Sequence, residues 1–127
     1  VDTLKYLEKG GRITPAVAAL GSMFNIKPVL LIDGGKLDTY KKVRGLKSAQ
    51  KAMIEAIKND IENRFKGTDY LIQTAYSGDL EQGKKWNETV KQAFPEHDVY
   101  NDVLPMSICC HVGPGALGIT CVKKISL

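Results

Sequence analysis

Over residues 48–65 the apolar side chains Ala49, Met53, Ala56, Ile57, Ile61 and Phe65 recur at helical spacing, with charged residues between them. A stripe of this kind predicts an amphipathic helix that must lay one face on something else. Short apolar runs stand on both sides of it. Val29–Ile32 runs into Asp33-Gly34-Gly35, a buried strand entering a tight turn, and residues 70–75 read as a second strand closed off from the helix by Gly67. A long one-sided helix between strands restricts the chain to an α/β arrangement.

The remaining segments extend that pattern. Asp2 or Thr3 caps a short helix with Leu4 and Leu7 on one face, stopped by Gly10 and Gly11. Thr14 as N-cap with Pro15 at the first helical position predicts a helix over residues 15–23. Residues 36–44 pair back on the first strand; their lysines and weak alternation suit a sheet edge. Asp79 opens a helix carrying Leu80, Trp86, Val90 and Phe94, which Pro95 ends. Residues 99–103 form a strand, a turn follows at Pro105, and Leu117, Ile119 and Cys121 alternate along a closing strand. The expectation is a mixed sheet of about five strands, one β-hairpin plus βαβ units, with helices packed on it. Trp86, Phe24, Phe65 and Phe94 fall at core positions.

The formal net charge of +4 comes from 18 basic and 14 acidic residues. Lys51, Glu55, Lys58 and Glu62 alternate in sign at helical spacing, giving solvated pairs rather than the single basic face that nucleic acid requires. Cys109, Cys110 and Cys121 are odd in number and two are adjacent, which fits no disulfide framework and suggests a reducing cytoplasm. No apolar run approaches the ~20 residues that span a bilayer. The chain begins at Val1 with a helix start close behind, so the expectation is a piece of something longer, with more chain upstream.

The segment with the most chemical promise is His111-Val112-Gly113-Pro114-Gly115. Glycines on both sides of a proline let backbone approach a ligand, and a neutral imidazole offers a donor and an acceptor to a carboxylate or phosphate oxygen. A plain turn before the last strand explains the same residues. Arg12, after Gly10-Gly11 and before a helix cap, can clamp an anion or simply sit at the surface beyond a helix stop. Cys109, Cys110, His111 and Cys121 lack the spacing of a structural zinc site, so no metal is expected and the cysteines are read as packing. No residue is marked as catalytic.

Four segments in order carry a family resemblance: LKYLEKGGRI, GSMFNIKPVLLIDGG, KKVRGLKSAQKAM and HVGPGALGI. Together they resemble the second half of the DegV family across nearly the whole chain. The resemblance implies the C-terminal domain of a two-domain bacterial protein, residues 1–127, with its N-terminal domain absent. It implies a non-enzymatic carrier that holds one long-chain fatty acid between its halves and, in some members, presents the carboxylate to a fatty acid kinase. The partners implied are the fatty acid, the N-terminal domain and that kinase, with no cofactor. His111 matches the histidine placed near the carboxylate, with Gly113 and Gly115 beside it. Arg12 is implied near the head-group end or the partner-facing surface, and Ile13, Phe24 and Ile26 are candidates for the acyl tunnel. Val112 stands where threonine is frequent, and Cys109-Cys110 replaces small or apolar residues. Two other functions compete on the residues alone: an anion-handling enzyme with HVGPG as a phosphate nest, and an interaction or dimerisation domain whose glycine loop is only structural.

Overall fold

The computed structural model describes residues 1–13, 25–33 and 36–125. The helix expected over residues 15–23, Phe24 and the Gly34-Gly35 turn lie outside them. The described elements are α1 (Lys5–Lys9), β1 (Ile26–Asp33), β2 (Lys36–Arg44), α2 (Leu46–Asn63), β3 (Tyr70–Tyr76), α3 (Leu80–Ala93), β4 (Val99–Val103), α4 (Met106–Val112) and β5 (Leu117–Lys123).

The α/β class, the hairpin and the five strands stand as read, with the strands divided between two sheets. Among the described residues β1 and β2 pair only with each other, Ile26 opposite Arg44, with a bulge between Val29 and Leu30. The other sheet has the order β4-β3-β5 and is mixed: β3 runs parallel to β4 and antiparallel to β5. A parallel neighbour needs a crossover, and α3 supplies it. Asp79 caps α3 as expected, its carboxylate accepting the Glu81 N–H at 2.9 Å.

Two apolar clusters hold these layers. Ile57, Ile72, Trp86, Val90, Phe94 and Val99 join α2 and α3 to the three-stranded sheet, while Val29, Ala49 and Ala52 join α2 to the hairpin. Met53 packs against both. Trp86 and Phe94 are buried as expected, and the Trp86 indole donates to the Gly118 carbonyl at 2.7 Å. Phe65 is half-buried, edge-on to Tyr70. A polar knot fixes the crossover: buried Asn87 donates to the Thr74 hydroxyl at 2.8 Å, and Thr74 reaches Asn101 on β4 at 2.9 Å.

Two local expectations change. α2 starts at Leu46 rather than near Ser48, because Gly45 takes φ +79° and turns the chain directly out of β2. The stretch between Pro105 and His111, read as a turn and approach to a loop, is helix α4. Pro105 stands at its N-cap and Gly113, at φ +72°, ends it, so both boundary signals were present. Seven residues with no apolar period give little else to read.

Candidate functional site

α1 and α4 meet through two glycines and two rings. The His111 ring lies over Gly10, where an added Cβ would stand 2.5 Å from Nδ1, and the Tyr6 ring lies over Gly113 in the same manner. Gly10 has an ordinary backbone, φ −80° and ψ −3°, so it is the imidazole and not the turn that demands glycine there. The His111 Nδ1 is buried and has no hydrogen-bond partner among the described residues. Arg12 folds back so that its guanidinium donates to the Gly10 carbonyl at 2.7 Å, at the C-terminal end of α1 where a cation is favoured. His111 and Arg12 are therefore brought together around one residue.

The loop after His111 is clamped by Ser77, a residue 2% exposed at the end of β3. The Ser77 hydroxyl donates to the Gly113 carbonyl at 2.6 Å and accepts the Ala116 N–H at 2.9 Å. Its carbonyl accepts the Gly115 N–H and its own N–H reaches the Ala116 carbonyl, both at 2.9 Å. The Gly113 N–H is held by Cys109. Pro114 has no N–H to offer. Every loop donor from Gly113 to Ala116 is thus committed inside the protein, and an anion nest needs such donors free.

Between the two sheets runs a groove of about 540 Å³, within the range of small-molecule sites. α2 with its C-cap Arg64 follows it from Leu46, roughly 27 Å at 1.5 Å per residue. One wall is the hairpin, with Val29, Leu30, Leu31 and Tyr40; the other is β5, with Leu117, Ile119 and Cys121. The register of β5 on β3, Leu117 opposite Tyr76 and Lys123 opposite Tyr70, orients it. One end holds Asp2, Lys27, Val112 and Gly115, beside the Ser77 clamp, with an Asp2–Lys27 ion pair at 2.5 Å. The other holds Asp60, Arg64 and Thr120, with the Asp60 and Arg64 side chains 3.7 Å apart. Burial, and secondarily the Asp60 charge, pushes the Cys121 thiol above its ordinary value. Its apolar rim is exposed at Leu31, Ile32 and Tyr40. A second hollow of about 580 Å³ at the α2–β3 turn, lined by Glu62, Asn63, Lys66 and Thr68 together with Ile61, Phe65 and Tyr70, offers much less apolar surface than the groove.

The family profile described as "Uncharacterised protein, DegV family" matches residues 1–124. The chain belongs to the DegV family. A DegV domain-containing protein of Clostridium acetobutylicum is 35% identical over 118 residues, which is 93% of this chain and 40% of that protein. Protein DegV of Bacillus subtilis is 31% identical over 119 residues, covering 94% and 41%. Among solved structures, a fatty acid binding DegV family protein from Streptococcus agalactiae superposes with a TM-score of 0.82 at 28% identity, over 98% of this chain and 43% of that one. DegV, a fatty acid binding protein from Bacillus subtilis, gives 0.75 at 31% identity, over 98% and 43%. The chain spans about two fifths of the length of the DegV relatives it matches.

Within this DegV fold the residues singled out from the sequence divide into groups. His111, Arg12 and the Gly113–Gly115 loop share one end of the molecule, and Gly115 also lines the groove. Ile13 and Ile26 are half-buried and stand outside the groove lining; Phe24 lies outside the described residues. Sequence reasoning passed over Ser77, Lys27 and most of the groove. The alternation of Leu117, Ile119 and Cys121 was visible, but not that its face would be left open beside a separate hairpin. Among the described residues no cluster of histidine, cysteine and carboxylate side chains could hold a metal, and no helix is long and apolar enough to cross a membrane.

Proposed function

We propose that this chain forms one wall of a long-chain fatty-acid site and is the C-terminal part of a two-domain carrier whose N-terminal part closes the groove. The observation that carries this reading is the apolar groove along α2, open on one side and lined at one end by Val112 and Gly115, in the loop that follows His111. Each buried methylene contributes about 0.8 kcal/mol, so an acyl chain supplies binding energy without a catalytic group. His111 is the head-group residue: its Nδ1 has no partner among the described residues, and a neutral imidazole offers one donor to a carboxylate. The acyl tail then lies toward Asp60 and Cys121. Unpaired cysteines suit a cytoplasmic protein. In this role the carboxylate is the reactive end, which a fatty acid kinase phosphorylates while the tail stays buried.

Mass spectrometry of lipid released on denaturing the intact protein tests the carrier, with the 127-residue chain as comparison. Long-chain fatty acid in about one-to-one ratio with the intact protein, and little from the chain alone, is the expected result. Lipid-free, well-folded intact protein that takes up no added fatty acid overturns it. His111→Ala in the intact protein is expected to weaken head-group engagement and acyl phosphorylation more than tail burial, and unchanged phosphorylation removes His111 from the role.

A further inference from the structure

We propose that Ser77 is the positioning residue for His111, setting where the imidazole meets the ligand carboxylate. A ligand-binding imidazole is ordinarily oriented by a hydrogen bond at its second nitrogen. His111 has none at Nδ1 among the described residues. Its ring is placed by the end of α4 and by the flat seat that Gly10 provides. The end of α4 is in turn fixed at Gly113, whose carbonyl receives the Ser77 hydroxyl at 2.6 Å. The same oxygen accepts the Ala116 N–H at 2.9 Å, one residue before the groove wall begins at Leu117. One buried hydroxyl therefore sets the histidine and the groove wall in a single frame. Small displacements matter at such a contact, because a charge-assisted hydrogen bond weakens steeply once distance and angle leave their narrow range.

Ser77 in this role presupposes the fatty-acid reading above, so the test separates the two. Palmitic acid and methyl palmitate, which share a tail and differ in head-group charge, are titrated into the intact protein against a displaced fluorescent fatty acid. Ser77→Ala is expected to lower the preference for acid over ester by about tenfold, the worth of a charge-assisted hydrogen bond. Ester affinity is expected to stay within about twofold, because the uncharged ester makes no charge-assisted bond that a displaced imidazole would weaken. His111→Ala loses the same preference, and the double variant loses no more than either, as residues acting in series must. Ser77→Cys keeps the volume with a weak donor and gives an intermediate loss if the alanine variant does not fold. Equal weakening of acid and ester reduces Ser77 to a structural residue and overturns the inference alone. A wild type that binds neither compound overturns the fatty-acid reading, and the inference with it.

Discussion

Gly10 and Gly113 are glycines for different reasons, and their substitutions should differ accordingly. At Gly10 the backbone is ordinary and only the His111 ring stands in the way. Gly10→Ala is expected to cost about 1–3 kcal/mol by overpacking, and much of that should disappear when His111→Ala is added, measured by urea denaturation of the double-mutant cycle. At Gly113 φ +72° with ψ −177° is a conformation essentially confined to glycine, and the Tyr6 ring fills the Cβ position besides. Gly113→Ala should therefore cost more than Gly10→Ala, and Tyr6→Ala should not rescue it fully. The cysteines give a second test. Cys110 is exposed, while Cys121 is half-buried with its thiol raised above the ordinary value of 9.0, first by burial. A thiol reagent at pH 8 is expected to modify Cys110 first, and bound fatty acid should slow Cys121 further. Because the folded value is the higher one, the stability tied to neutral Cys121 is fully present below pH 9 and is lost as pH rises through the folded value.

The crossover through α3 depends on one buried amide. Asn87 donates to Thr74 and approaches the Val99 and Tyr100 carbonyls, so Asn87→Ala leaves the Thr74 hydroxyl and β4 carbonyls short of a donor. A loss of about 1–3 kcal/mol is expected, with faster amide exchange on β4 than on β5. α2, β3 and α3 were legible in the sequence because each carries its own signal: the stripe from Ala49 to Ile61, the Gly67 stop, the Asp79 cap. α4 was not, since its seven residues carry no apolar period and its place comes from contact with α1. His111 stood out by chemistry and Arg12 by its glycines. Ser77 did not, because a serine after a strand resembles any turn residue until the loop it holds, nearly forty positions later, folds against it. The groove escaped for the same reason, its walls being distant in sequence.

α2 is shared by two cores, and Met53 is the side chain that touches both. Met53→Ala is expected to cost about 2 kcal/mol and to loosen the hairpin more than the three-stranded sheet, read as a larger gain in amide exchange over β1 and β2. Separating the sheets in this way leaves a space whose width is set by α2 rather than by strand pairing. The two ring-on-glycine contacts at the far end carry a further consequence, for descent rather than for folding. A lineage that replaces Gly10 with any larger residue must also move or lose His111, whereas Gly113 is held as glycine by its backbone whatever residue stands at position 6. Among homologous sequences positions 10 and 111 should change together, and a chain with a side chain at position 10 should have given up the histidine at position 111.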